Sequence, residues 1–256
     1  MARTHGPGRR WVMALAWAVT FLVAGCAGLE KDEERLSYMW IVHDRERSDA
    51  DRVIDIRRNP EKLLEFYDVR PGMRVLDLSA GRGYNTELLA RVVGATGTVY
   101  AQHSRYFAEN KAVRAAFEER LKKPVMGRVV YLVREFEDPV PPGVAKLDLV
   151  TFNFNYHDTV WLGVDRARMN RAVFNALKPG GSYVVADHSG RAGTGTSETK
   201  SLHRIEESVV RREVEAAGFK LVAEGDFLRN PSDPRDVPVS KSQVPNDEFV
   251  LKFRRP

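Results

Sequence analysis

The stretch RVLDLSAGRGYNTELLAR, Arg74 to Arg91, decides how the rest of this chain is read. An apolar run (Val75, Leu76, Leu78) carries Asp77 near its end and crosses the small-residue loop Ser79-Ala80-Gly81-Arg82-Gly83. It then enters a helical pattern with Leu88, Leu89 and Val92. Glycine has no Cβ, so at Gly81 and Gly83 the backbone can turn tightly and approach a ligand closely. Asn85 or Thr86 offers a side chain able to cap the helix start. Strand, glycine turn and helix form the opening unit of a nucleotide-binding type of α/β fold. Taken alone, the two glycines fit an ordinary strand-to-helix turn equally well.

Upstream of this unit, residues 1–25 read as a secretory signal. Arg3, Arg9 and Arg10 give a basic start, and Trp11 to Ala24 is an apolar run shorter than the roughly 20 residues of a membrane span. The run ends in Leu22-Val23-Ala24-Gly25-Cys26, which resembles the lipobox of bacterial lipoproteins, where the cysteine is lipidated and becomes the new N-terminus. Cys26 is the single cysteine of the chain, so the mature protein would hold no disulfide and no cysteine nucleophile. Ala27 in place of Asp after the lipidated position implies the outer membrane. The expected location is therefore the periplasmic side of the cell envelope, with a lipid anchor through Cys26. Gly8-Arg9-Arg10-Trp11-Val12-Met13 is also a loose match to a twin-arginine export signal.

Removing Arg3, Arg9 and Arg10 with the leader takes the formal charge from +5 to +2. A near-neutral domain gives no support for a nucleic-acid partner. Basic pairs such as Arg57-Arg58, Lys122-Lys123 and Arg211-Arg212 read as solvated helix faces. Residues 26–48 read as a tether and first helix, and 49–256 as one domain large enough to bury a sizeable core.

Within that domain, apolar runs alternate with helical patterns. Asp49 to Phe66 reads as two short helices broken near Pro60, and Pro71-Gly72 turns the chain into a strand at Arg74–Leu78. Further strands are expected at Thr98–Gln102, Val129–Val133, Leu147–Phe154 and Ser182–Asp187, with helices at Thr86–Val93, Phe107–Leu121 and Arg166–Leu177. One more helix, Ile205–Ala217, and two strands, Lys220–Phe227 and Glu248–Phe253, close the chain. Such alternation predicts a mostly parallel sheet with helices on both faces.

In this order the pieces resemble a class I S-adenosylmethionine-dependent methyltransferase, over about Asp49 to Pro256. VLDLSAGRG resembles the family's first motif and LKPGGSYVVADH its late helix-turn-strand. EVEAAGFKLV with DEFVLKFRRP resembles its closing helix and antiparallel hairpin. RNPEKLLEFYDVRPGMRVLDL, NYHDTVW, HRIEESVVRREVEAAGF and FLRNPSDPRD are similar to a group of exported bacterial methyltransferase-like proteins. The resemblance implies a Rossmann-like, seven-stranded α/β fold and S-adenosylmethionine as cofactor.

It also implies a site. Asp77, Ser79, Ala80, Gly81, Gly83 and Tyr84 would face the cofactor's methionine part, where backbone amides and an acidic group suit an ammonium and a carboxylate. Ser79 stands where the family usually has glycine. The family's acidic ribose partner is replaced by Gln102, whose carbonyl accepts without charge assistance, so weaker cofactor binding is expected. Glu135 falls where the family places a partner for the adenine amino group, with Phe136 against the base. Glu135, Glu137 and Asp138 read equally as a solvated acidic loop. Asn153 and Phe154 end the fourth strand, where cofactor and substrate meet in this fold.

Methyl transfer needs a general base only where the acceptor loses a proton. His157, oriented by Asp158, is the first candidate, His188 the second and His203 the third. With Asp158 and Asp187 these histidines supply metal-ligand types. No H-x-x-x-H or H-E-x-x-H spacing is present, however, and no metal is expected. The functions weighed are a methyltransferase acting on a small molecule or envelope component, and a non-catalytic lipoprotein that keeps the fold for binding. A nicotinamide-dependent oxidoreductase is disfavoured by the absence of a third glycine and of an acidic ribose partner.

Overall fold

The computed structural model describes residues 1–2 and 38–256. The proposed leader and Cys26 lie outside the described residues. Among those described, no helix is long and apolar enough to cross a membrane.

Seven strands form one sheet: β1 (Arg74–Leu78), β2 (Thr98–His103), β3 (Val129–Val133), β4 (Leu147–Asn153), β5 (Leu177–His188), β6 (Lys220–Gly225) and β7 (Glu248–Arg254). Their order is β3-β2-β1-β4-β5-β7-β6. Strands β1 to β5 pair in parallel, and β7 pairs antiparallel with both β5 and β6. The strand order reverses beside β1, so a crevice opens between the carboxyl ends of β1 and β4.

The helices are α1 (Asp49–Arg58), α2 (Pro60–Tyr67), α3 (Tyr84–Val93), α4 (Arg105–Ala108), α5 (Lys111–Leu121), α6 (Tyr156–Trp161), α7 (Arg166–Ala176) and α8 (Glu207–Ala216). Successive strand residues alternate between two cores. Val75, Leu149, Val184 and Val250 pack with Leu63, Leu64, Leu88 and Leu89 on one face. Leu76, Val150, Val185 and Leu251 pack with Met169, Val173, Val210 and Val214 on the other.

Two local expectations are corrected, and one helix was not expected. The helix expected over Phe107–Leu121 is two: α4 stops, and Asn110 starts α5 by accepting from the Ala112 and Val113 amides. Neither Asn85 nor Thr86 caps α3. Gly83 does so from the left-handed region (φ 81) with no side-chain bond, because Asn85 and Thr86 point back to Asp77. The six-residue α6 carries no helical pattern long enough to read in the sequence.

A charged network fixes α1 over the crevice. Arg120 on α5 forks onto Asp51 of α1 at 2.7 and 2.8 Å, and also donates to Glu87 of α3 and to the Arg82 carbonyl. Arg47 forks onto Asp55 at 2.6 and 2.7 Å. Burial disfavours the charge on Asp51 and Glu87, but Arg120, together with Lys123 and Arg91 at Glu87, outweighs it and holds both carboxyls below their usual range. Carboxyls depressed in the folded state stabilise it fully above their unfolded pKa values of 3.8 and 4.5, and that stability is lost as pH falls through the folded values. Thermal midpoints should therefore drop as the pH is lowered below about 4.5, and Arg120→Met should flatten that drop. An unchanged acid profile in Arg120→Met would remove the network from this role.

Candidate functional site

The crevice holds a cavity of about 270 Å³ lined by the Asp77–Asn85 segment, by Asn153, Phe154 and Asn155 after β4, by Ile54 and Arg58 of α1, and by Phe107 and Val113. Asp77 is buried at its floor. Its Oδ1 accepts from Asn85 Nδ2 at 2.8 Å and Thr151 Oγ1 at 2.9 Å, and its Oδ2 from Thr86 Oγ1 at 2.6 Å. Burial raises the Asp77 carboxyl above the usual range against the pull of these three donors.

Two non-glycine residues on the cavity rim are left-handed, Ser79 (φ 58) and Phe154 (φ 56). A side chain there is strained by about 1–2 kcal/mol. That explains why glycine is usual where Ser79 stands. Ser79 gains a bond in exchange: its Oγ donates to Asn155 Oδ1. Ser79→Ala keeps the strain and loses the bond, so it should be less stable than Ser79→Gly by about 1 kcal/mol or more in denaturant titrations.

Arg58 corrects the reading of its pair as a solvated face. Arg57 reaches Glu248, whereas Arg58 turns to the cavity, its guanidinium carbon 4.5 Å from the Phe154 ring centroid and 5.3 Å from that of Tyr84. Burial, and then the neighbouring Arg57 charge, lower its pKa. Two lining residues hold buried polar atoms without a hydrogen-bond partner, Arg58 Nε and Asn153 Oδ1. A ligand carrying both an ammonium and a carboxylate has the groups to satisfy an acceptor and a cation so placed.

Of the expected cofactor contacts, Asp77, Ser79, Ala80, Gly81, Tyr84, Asn153 and Phe154 line the cavity. Gly83 sits behind it, where a Cβ would meet Arg120 Cδ at 2.9 Å and Phe117 at 3.0 Å. Three more lie away from it. Gln102 is fully buried and spends both ends of its amide, accepting from the Ser79 amide at 2.9 Å and donating to the Arg134 carbonyl at 2.6 Å. It ties β1 to the end of β3 instead of facing a ribose. Phe136 is in the core against Phe152, and Glu135 is exposed, 3.5 Å from Arg105.

The sequence reading missed Arg58, Ile54, Phe107 and Val113, which fold onto the crevice from outside the motif. It also missed His103. Its Nε2 lies 2.7 Å from the Gly81 carbonyl, and its Nδ1 is buried without a partner. The signal for His103 lay in a histidine ending the strand Thr98–His103, directly after Gln102.

Behind Asn155 lies a second group of side chains. Asn155 Nδ2 donates to Asp158 Oδ2, and Trp161 Nε1 to Asp158 Oδ1 at 2.8 Å. His157 Nδ1 is 2.7 Å from Asp187 Oδ1, and its Nε2 is 3.2 Å from Asp158 Oδ1 and 3.3 Å from His203 Nδ1. Burial lowers the His157 pKa, but Asp187 and Asp158 together overcome it and push it up to about 10. A histidine that keeps its proton at neutral pH is no free base, which corrects the role given to His157. His203 is left-handed (φ 55), and its side chain is 44% exposed, so it is the member open to solvent. His188 stands against the Phe154 ring, its Nδ1 3.1 Å from Glu248 Oε1.

The comparisons agree with this geometry. Residues 53–126 match the family protein-L-isoaspartate(D-aspartate) O-methyltransferase. The ubiquinone/menaquinone biosynthesis C-methyltransferase UbiE of Shewanella halifaxensis is 25% identical over 191 residues, 74% of this chain and 66% of that protein. UbiE of Vibrio vulnificus is 30% identical over 127 residues, 49% of this chain and 45% of that protein. The chain thus spans between about half and two thirds of these curated relatives. A SAM-dependent methyltransferase from Aquifex aeolicus superposes with a TM-score of 0.57 at 19% identity, covering 82% of this chain and all of that one. The [4+2]-cyclase SpnF does so with a TM-score of 0.56 at 17% identity, covering 81% and 82%. The fold is that of the class I methyltransferases, a seven-stranded sheet with one antiparallel hairpin. In sequence over residues 53–126 and in fold, the chain is similar to S-adenosylmethionine-dependent methyltransferases.

Proposed function

We propose that the protein transfers a methyl group from S-adenosylmethionine to a small molecule or envelope component, and that a lipidated Cys26 holds it on the periplasmic side of the outer membrane. The observation that carries the catalytic part is the pairing, in one cavity, of Arg58 without a carboxylate partner and Asn153 Oδ1 without a donor. When bound, the cofactor supplies a methyl group on a positively charged sulfur. Arg58 would hold its carboxylate and Asn153 Oδ1 its ammonium, while the Ser79–Gly83 loop packs along it. Phe107 lines the cavity and packs against Tyr106 at 5.2 Å, which meets Trp161 in turn. In such a site most of the rate comes from positioning. The acceptor would enter beside Asn155, with His203, the member of the second group open to solvent, to receive its proton where one is lost.

Gln102 favours a second reading, a binding lipoprotein without turnover, because its amide is unavailable to a ribose. Calorimetry of the purified protein with S-adenosylmethionine and its demethylated product separates the two. The methyltransferase reading expects both to bind. Silence from both at millimolar concentration would leave the binding-module reading standing.

A further inference from the structure

We propose that His157 Nε2, Asp158 Oδ1 and His203 Nδ1 form a binding site for a divalent metal ion of the zinc type. The three atoms are separated by 3.2, 3.3 and 3.5 Å. A tetrahedral ion holding nitrogen and oxygen ligands at about 2.0–2.1 Å sets those ligands about 3.3–3.4 Å apart. The triangle already has the size of one face of that tetrahedron. Among the described residues these three side chains are the group of histidine and carboxylate ligands close enough to share an ion.

The surroundings are those a metal site needs. His157 Nδ1 is bonded to Asp187, which keeps the proton on Nδ1 when an incoming ion displaces the one on Nε2, and makes the ring a better donor. Asp187 is itself held by the His157 and His188 amides, both at 2.8 Å. Asn155 and Trp161 orient Asp158. Charge points the same way. Asp158 and Asp187 bring two negative charges into a buried corner, which one imidazolium neutralises by half and one divalent cation neutralises in full.

Three protein ligands leave a fourth position, and the exposure of His203 puts the group within reach of solvent. An ion there would bind an acceptor's oxygen, nitrogen or sulfur and lower its proton affinity. That role, unlike the site itself, rests on the methyltransferase reading. The sequence expectation of no metal followed from spacing within a motif, whereas this group joins adjacent residues to one 45 positions away.

The test uses the full chain, purified without a polyhistidine tag and stripped with a chelator. Zinc chloride is titrated by calorimetry with no methyl donor present, and the thermal midpoint is followed with and without zinc. One ion should bind per chain and raise the midpoint. His203→Ala, a change at a half-exposed side chain, should keep the midpoint of the metal-free protein. It should weaken zinc by more than the roughly 10–100-fold that loss of an outer partner costs. Asp158→Asn should weaken it as well, while His43→Ala, at a surface pair with Glu61, should not. Absence of zinc binding, or binding undiminished in His203→Ala, would overturn the proposal. Cofactor affinity plays no part in these readouts, so the site can fail while the methyltransferase reading stands, and the reverse.

Discussion

Arg204→Ala is expected to destabilise the protein by about 3–5 kcal/mol, because it leaves the Asp233 carboxylate charged and unpaired in the interior. Both side chains of this pair are fully buried. The Arg204 guanidinium reaches Asp233 at 2.9 and 3.3 Å, the Ser189 carbonyl at 3.2 Å, the Val237 carbonyl at 3.2 Å and Asn246 Oδ1 at 3.0 Å. One side chain thereby joins the segment after β5 to the long connection between β6 and β7. Burial opposes the charge on Asp233, but the Asp247 and Arg235 amides and Arg204 hold its carboxyl below the usual range. For a domain of this size each kcal/mol lowers the thermal midpoint by about 2–4 °C, so a fall of roughly 6–20 °C is expected. Removing both charges, Arg204→Met with Asp233→Leu, should recover much of the loss, since what costs most is the stranded partner. The pair also bears on the site, because Arg204 directly follows His203. A loop freed by Arg204→Ala should weaken whatever His203 helps to hold. A midpoint within about 2 °C of the parent would show that water reaches Asp233 and that the pair is not the anchor it looks.

The sheet was legible in the sequence because its strands carry short apolar runs bounded by turn residues, and β1, buried in the sheet, and β3, at its edge, fall on their expected residues. The glycine loop was legible for a related reason. Gly81 and Gly83 occupy left-handed backbone that few other residues tolerate. The helix pair before β1 broke at Pro60, as expected from its missing amide. What stayed hidden was direction. Arg57 and Arg58 look alike in sequence, and only the rotation of α1 sends one to Glu248 and the other to the cavity. Gln102 was found in its expected place, but the amide's two ends were already committed to the Ser79 amide and the Arg134 carbonyl. His203 approaches His157 through tertiary folding, which no periodicity encodes.

The contrast between those two arginines gives the second large effect. Arg58→Ala should weaken S-adenosylmethionine binding by about 10- to 150-fold, the equivalent of a charge-assisted hydrogen bond worth about 1.5–3 kcal/mol. Arg57→Ala should change it by less than about threefold, since Arg57 is bonded to the buried Glu248 and does not line the cavity. Arg58→Lys separates charge from shape. A lysine keeps the positive charge but lacks the planar guanidinium that sits 4.5 Å from the Phe154 ring centroid and 5.3 Å from that of Tyr84. If the fork and the stacking place the charge, lysine should recover only part of the affinity. Analogues sharpen the assignment further. A cofactor analogue lacking the methionine carboxylate should bind wild type and Arg58→Ala with nearly the same affinity, because the group that Arg58 meets is gone from both. An analogue that still separates the two proteins by the full factor would move Arg58 from the carboxylate to the acceptor. The acceptor would then be an anion held over the glycine loop between the Tyr84 and Phe154 rings.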